Sequence, residues 1–243
     1  MALESTPSAD STSNERVVYP VCDFRGESGL QTFVIQVLLD LLRDYAAQLE
    51  RPVFVNSNQF FYYKKGDPRA VVAPDVYTID GVTMHPSQVR CWKTWEPEAK
   101  PPTLAIEVVS DEYRKDYADT MLERYQQLGV RELVRYDPSH RGRKNRELLA
   151  HFVREESGQL VRRPVFGERL QLVSYDLWLI PHAKDALRLG VGPKGRSLWP
   201  TAAERATHDV ALARYREQTA GIQAQIDAIE QPARAAIFAR KLR

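Results

Sequence analysis

The segment PPTLAIEVVSDEYRKDYADTMLERYQQLGVRELVRYDP, residues 101–138, predicts a strand, a loop, a helix over residues 115–128 and a second strand, in that order. Gly129 follows the helical stretch and is the residue type expected just past a helix C-terminus. A strand, a helix and a strand within so short a segment predict a right-handed crossover between two parallel strands. The segment therefore indicates an α/β fold in which TLAIEVVS is a central strand.

One carboxylate, Glu107, interrupts the apolar strand TLAIEVVS. Burying an unpaired carboxylate in such a strand costs several kcal/mol, so Glu107 requires a cation, a hydrogen-bond partner or solvent at a cleft. An arginine salt bridge is one solution, since Arg114, Arg124 and Arg131 are close in sequence. A divalent metal ion is the other, and this strand alone does not separate the two.

A second isolated acid, Asp75, lies in the predicted strand VVAPDVYTID. Pro74 has no N–H to donate, so Asp75 is expected at an edge or where strand pairing loosens. Mg²⁺ is typically held by one or two carboxylates together with water and phosphate oxygens. Asp75 and Glu107 on neighbouring strands would supply the carboxylates, and the main-chain carbonyl of Val108 could add one more ligand. Such a site predicts metal-dependent hydrolysis of phosphodiester bonds, with a nearby lysine stabilising the charge that develops.

The remaining chain divides into a tail, a domain and an arm. Residues 1–16 are polar and rich in Ser and Thr, which predicts disorder. Residues 17–182 predict the globular domain, with a helix over residues 29–48 whose apolar side chains recur every three or four positions. Residues 183–243 predict a C-terminal arm with a long helix that starts at Thr201.

The helix of the arm carries apolar residues at heptad spacing, and Pro232 is expected to break or kink it. Packing of this seam back on the domain is the ordinary explanation. A short coiled coil is the alternative, and it predicts a homodimer through the C-terminal helix. The seam consists of Leu212, Tyr215, Thr219, Ile222, Ile226 and Ile229.

The composition is that of a globular protein, with 43% hydrophobic residues and a net charge of +2. No apolar run approaches the roughly 20 residues that a membrane-spanning helix needs, and the N-terminal residues lack the features of a signal peptide. The two cysteines form neither a zinc pattern nor a disulfide framework. We therefore expect a cytoplasmic protein without a membrane partner. Basic residues outnumber acidic ones over residues 139–163, which permits contact with phosphates, although such loops are more often simply solvated.

Several motifs together resemble the Uma family ("putative restriction endonuclease") of the PD-(D/E)xK superfamily. They are APDVYTID at residues 73–80, PPTLAIEVVS at 101–110, YQQLGV at 125–130, RELVRYDP at 131–138 and the preceding RPVFVNSNQFFYYKKGDPRAVVAPDV. The similarity covers residues 27–138 well, and LWPTAAERA is similar to the tails of many members. The resemblance implies a restriction-endonuclease-like mixed β-sheet flanked by helices, with DNA as substrate and Mg²⁺ or Mn²⁺ as cofactor.

The resemblance also implies roles for individual acids. Asp75 and Glu107 are the motif carboxylates, and Glu27 is the additional acid that these nucleases often carry near the first helix. The implied metal ligands are therefore Glu27, Asp75, Glu107 and Val108. From the residues alone, Glu27 is equally well explained as an acid at the positive end of a helix dipole.

The chain lacks the lysine that the family pattern places near the motif carboxylates. Val109 stands where the superfamily has a lysine, and Met121 stands where Uma sequences carry a lysine on the following helix. Gln31 likewise replaces a histidine that is common among relatives. Lys115 and Arg124 could supply the missing charge, which gives Asp75, Glu107, Lys115 and Arg124 as the predicted catalytic set. The alternative is a catalytically impaired module that binds nucleic acid or a partner protein.

Overall fold

The computed structural model describes residues 29–110, 117–184 and 186–241, and it is a mixed α/β chain. The chain divides into two compact units, of which the first ends at Ser197 and the second is Leu198–Arg243. The α-helices are α1 (Gly29–Ala46), α2 (Asp119–Leu128) and α3 (Ala202–Lys241). The strands are β1 (Val53–Asn56), β2 (Phe61–Tyr62), β3 (Val71–Val72), β4 (Val76–Asp80), β5 (Trp92–Lys93), β6 (Leu104–Val108), β7 (Glu132–Tyr136), β8 (Leu149–Arg154), β9 (Leu160–Arg163), β10 (Leu170–Gln171), β11 (Trp178–His182), β12 (Ala186–Val191) and β13 (Ser197–Leu198).

A six-stranded sheet with the order β1-β4-β6-β7-β8-β9 forms the centre of the first unit. Strands β6 and β7 are parallel and are joined through α2, which confirms the predicted crossover. The other neighbouring strands of this sheet pair antiparallel. Strand β6 is therefore interior, with β4 on one side and β7 on the other. The predicted mixed sheet flanked by helices is confirmed.

Helix α1 buries one side against the first unit, as its periodicity predicts. The buried stripe begins one residue later than the first apolar residue, because Leu30 is 46% exposed whereas Gln31 is 8% exposed. A polar side chain thus occupies the first position of an otherwise apolar stripe. The remaining buried residues of α1 are Val34, Ile35, Leu38, Leu39, Leu41 and Leu42.

Helix α2 covers one face of the six-stranded sheet. Its Tyr125 and Leu128 are buried in the hydrophobic core together with Ala105 of β6 and Leu133 of β7. Gly129 caps the C-terminus in the left-handed conformation (φ 94°), and its N–H donates to the carbonyls of the last turn. This cap is as predicted.

The start of α2 differs from the prediction of a helix that begins at Lys115. Among the described residues the helix begins at Asp119, because Ala118 has extended backbone angles (φ −70°, ψ 138°). Tyr117 lies before the helix, and its hydroxyl donates to Asp137 Oδ2 at 2.8 Å. This hydrogen bond ties Tyr117 to the residue that follows β7, and the helix begins two residues later.

The predicted strand VVAPDVYTID is two strands in two sheets. Strand β3 pairs with β2 in a small sheet of order β3-β2-β5, whereas β4 pairs with β1 and β6 in the six-stranded sheet. Pro74 and Asp75 form the link between them. A proline has no N–H for a ladder, so the pairing changes at this point.

A third sheet, of order β10-β11-β12-β13, extends the first unit beyond residue 182, where the sequence predicts the arm to begin. Strand β11 pairs along its whole length with β12, from Trp178↔Gly190 to His182↔Ala186. The loop before β11 is fastened to β7, because Glu132 accepts the N–H groups of Val173 and Ser174 at 2.8 Å each.

Helix α3 forms the second unit with a capping box at its start. Thr201 N–H donates to Glu204 Oε2 at 2.8 Å, and Glu204 N–H donates to Thr201 Oγ1 at 3.2 Å. The helix continues through Pro232 to Lys241, so the expected break there is wrong. Within the described residues, no helix is both long and apolar enough to cross a lipid bilayer.

Candidate functional site

Asp75 is anchored to the end of β6. It lies at the bend before β4, is 8% exposed, and accepts the N–H of Val108 on Oδ2 at 2.7 Å. Because Val76 pairs with Ile106, the next step along the same antiparallel edge brings Asp75 beside Glu107. The structure therefore brings together the two predicted carboxylates and the predicted main-chain ligand Val108.

Gln31 completes this cluster from the first turn of α1. Its Nε2 lies 3.2 Å from Asp75 Oδ1, 3.3 Å from Asp75 Oδ2 and 3.2 Å from the carbonyl oxygen of Val108. All three oxygens are acceptors, so the nitrogen of the amide and not its oxygen faces them. The oxygens of two chain segments thus converge on one nitrogen atom.

Glu107 lies on the face of β6 that α2 covers. It is half-buried, and the hydroxyl of the buried Tyr125 donates to its Oε1. This bond holds the carboxylate at the end of the core, next to the carbonyl of Val108. Tyr125 was not among the predicted site residues. The sequence signal for its role was a tyrosine, whose hydroxyl can donate a hydrogen bond, on the helix that follows the strand with Glu107.

Arg135 is the basic residue that the strand register places beside Glu107. The two are partners in the parallel β6–β7 pair, and paired residues of neighbouring strands share a face of the sheet. The guanidinium of Arg135 lies 3.9 Å from the ring centroid of Tyr117, and its Nη2 lies 3.1 Å from Glu147 Oε1. The arginines close to Glu107 in sequence are instead Arg114, Arg124 and Arg131. The signal for Arg135 was an arginine inside the apolar strand ELVRYDP.

A buried ion pair between Asp137 and Arg146 lies directly after β7, close to Tyr117 and Arg135. Arg146 donates to both oxygens of Asp137, at 2.6 and 2.7 Å, and the Tyr117 hydroxyl and the Ser139 N–H also donate to this carboxylate. Burial raises the pKa of Asp137, but the hydrogen bonds from Arg146 and Tyr117 outweigh burial, and the pKa lies below its ordinary value. The carboxylate is therefore ionised. It accepts the hydrogen bond of the Tyr117 hydroxyl, and the ring of Tyr117 contacts the guanidinium of Arg135.

Arg124 is the other predicted catalytic residue that lies within the described residues. Arg124 is exposed on α2 and lies near Tyr63, where burial raises the tyrosine pKa and the arginine charge partly offsets that rise. Met121 is half-buried against the hydrophobic core and supplies no charge. Glu27 and Lys115 lie outside the described residues.

The donor atoms at this site fit a hard divalent cation. They are carboxylate oxygens of Asp75 and Glu107 and the carbonyl oxygen of Val108, without the nitrogen or sulfur ligands that zinc prefers. In the described part of the chain no group of three or more His, Cys, Asp or Glu side chains could hold a metal. An ion held there would take two carboxylates, a carbonyl and water, which is the usual coordination of Mg²⁺ in proteins.

Part of the chain is similar to known proteins. Residues 26–179 match the Uma2 family, described as "Putative restriction endonuclease". One similar solved structure is that of "a putative nuclease belonging to DUF820" from Anabaena variabilis, with a TM-score of 0.40 and 11% sequence identity, covering 67% of this chain and 76% of that chain. No curated protein matches the chain. The matched family region contains Gln31, Asp75, Glu107 and Arg135.

Proposed function

Because this chain belongs to the Uma2 family ("Putative restriction endonuclease"), we propose that it is a divalent-metal-dependent DNA endonuclease that hydrolyses phosphodiester bonds. The observation that carries the proposal is the convergence of Asp75 and the Val108 carbonyl at the end of β6, beside Glu107. Glu107 is a half-buried carboxylate in an otherwise apolar strand, and a cation held beside it would offset its charge. We further propose a cytoplasmic location.

Asp75, Glu107 and the carbonyl of Val108 would hold Mg²⁺ or Mn²⁺. Glu27 stays a predicted additional ligand on the strength of the family resemblance. When bound, such an ion polarises the phosphate and lowers the pKa of a bound water. The chain itself fixes the ligands: Val108 N–H orients Asp75, and the Tyr125 hydroxyl orients Glu107.

Positive charge beside Glu107 would come from Arg135, in addition to the predicted Lys115 and Arg124. A guanidinium is permanently protonated, so it stabilises the negative charge that develops on a phosphate but is a poor general base. Tyr117 and Glu147 hold the Arg135 guanidinium in place. Arg135 would therefore stabilise charge as the lysine missing at position 121 would, without acting as a general base.

A cleavage assay tests the proposal. Wild type and Glu107→Ala are compared on plasmid and single-stranded DNA with Mn²⁺, and Glu123→Ala, which removes an exposed acid of α2, is the matched control. We expect Glu107→Ala to lose at least about 100-fold in rate and Glu123→Ala to behave as wild type. Equal activity in wild type and Glu107→Ala, or no activity in either, contradicts catalysis at this site.

Met121 favours a second candidate function, a catalytically impaired nuclease-fold module. The side chain packs against the core where relatives carry a lysine, so it can neither hold a phosphate nor orient a water. If the chain is such a module, we expect calorimetry to detect no metal binding that depends on Asp75. DNA binding should persist, and its affinity should fall steeply as the salt concentration rises. DNA binding that is absent or insensitive to salt counts against the module.

The exposed apolar residues of α3 support a homodimer as a further part of the proposal. Leu212, Tyr215 and Ile222 are 38%, 66% and 59% exposed and follow the heptad spacing. Deletion of residues 201–243 is expected to lower the number of chains per particle, measured by light scattering, from two to one. An unchanged number of chains per particle would mean that this seam does not join two copies.

A further inference from the structure

The amide of Gln31 occupies the point on which the oxygens of the candidate metal site converge. Its Nε2 lies within 3.2–3.3 Å of both oxygens of Asp75 and of the Val108 carbonyl, and all of these groups are buried. A partly positive –NH₂ group in contact with a carboxylate and a carbonyl offsets their negative charge in the same way as a cation, only more weakly. Gln31 is therefore a neutral substitute for an ion at this point.

The hydrogen bonds of Asp75 divide into two kinds. The bond from Val108 N–H to Oδ2 is short, at 2.7 Å, and it comes from the main chain of β6, which cannot move without breaking the sheet. The bonds from Gln31 are longer and come from a side chain in the terminal turn of α1, between the exposed residues Leu30 and Thr32. Loss of the amide therefore leaves the carboxylate anchored by the main chain of β6.

We propose that Gln31 is a built-in competitor for the divalent cation: its amide holds the oxygens of Asp75 and Val108 together while no ion is bound, and it must leave them when one binds. This inference rests on the proposed metal site. It adds that the affinity of the site for metal is set by the side chain at position 31 as well as by the ligands.

Binding of Mn²⁺ to the full-length chain tests the inference, with free Mn²⁺ measured by electron paramagnetic resonance. We expect Gln31→Ala to bind Mn²⁺ about tenfold more tightly than wild type, because the ion no longer displaces hydrogen bonds to a charged group. Gln36→Ala, which removes an exposed glutamine of the same helix, should bind as wild type. Asp75→Asn should abolish binding.

Thermal unfolding gives a second readout that does not depend on activity. Without metal, Gln31→Ala should melt at a lower temperature than wild type, and saturating Mn²⁺ should narrow or reverse the difference, since wild type gives up its amide contacts on binding. Gln31→Ser is the second variant if Gln31→Ala does not fold, with the same expectations.

The outcomes separate this inference from the proposed function. Mn²⁺ binding that depends on Asp75 but is equal or weaker in Gln31→Ala overturns the role of Gln31 and leaves the metal site standing. No binding to wild type or to either Gln31 variant overturns the metal site itself. Binding to Gln31→Ala but not to wild type supports the inference in its strongest form.

Discussion

Asp137 and Arg146 form a buried charge pair, with side chains 0% and 5% exposed. Asp137→Asn would leave the guanidinium of Arg146 buried without its counter-charge, and breaking such a pair costs about 3–5 kcal/mol. We expect a decrease of that order in the free energy of unfolding measured by urea denaturation. Asp40→Asn, at an exposed acid of α1, is the control and should change it by less than about 0.5 kcal/mol.

The same carboxylate predicts a pH dependence of stability. Its pKa in the folded protein is lowered, so its stabilising contribution is complete above the ordinary aspartate value of about 3.9 and is lost as the pH falls through the folded value. The difference in unfolding free energy between wild type and Asp137→Asn should therefore be constant from pH 7 to about pH 5 and shrink below about pH 4. A difference that does not change with pH would show that another group controls the acid sensitivity.

Single residues were predicted from the sequence where their type was out of place in a local pattern. Asp75 and Glu107 were visible because each is an acid in an apolar strand. Arg135 and Tyr125 were missed as site residues because their partners depend on strand register and on the side of α2 that faces the sheet, neither of which a local pattern contains. Gln31 was visible only as a difference from relatives.

At the scale of elements, the glycine cap at the C-terminus of α2 can be tested by substitution of Gly129. Gly129 has φ 94°, so Gly129→Ala is strained in its backbone, although the added Cβ, 3.4 Å from Pro101 Cβ, would make an ordinary van der Waals contact. We expect a loss of about 1–2 kcal/mol in unfolding free energy. Gly221→Ala in α3, where an added Cβ meets nothing within 4 Å, should instead increase helicity by circular dichroism. A Gly129→Ala protein as stable as wild type would contradict the assigned cap.

The elements that local periodicity determines were predicted well. The β6–α2–β7 crossover and helix α1 follow from apolar spacing and from the glycine after α2. The division of VVAPDVYTID between two sheets was not predicted, because the choice of partner strand is a tertiary property. The later start of α2 has the same kind of cause, since the contact of Tyr117 with Asp137 is remote in sequence.

At the scale of the whole molecule, the proposed substrate predicts a dependence on salt. The exposed basic residues Arg141, Arg143 and Lys144 lie on the loop that follows β7, beyond Asp137. Replacing all three by alanine should weaken DNA binding and reduce the slope of log affinity against log salt by about 0.9 per lost phosphate contact. The measurement is a fluorescence anisotropy titration at several salt concentrations. An equal loss in Arg90→Ala, at an exposed arginine elsewhere, would indicate diffuse charge and not a contact surface.

The contacts among Gln31, Asp75 and Val108 join residues that are far apart along the chain. Gln31 and Asp75 are 44 residues apart, Asp75 and Val108 are 33 apart, and Gln31 and Val108 are 77 apart. Each contact closes a long loop, so it forms only after the sheet around β6 has assembled. During synthesis on the ribosome the site therefore cannot exist before β6 and its neighbours β4 and β7 have emerged. A chain released early would carry these carboxylates in water, apart from one another.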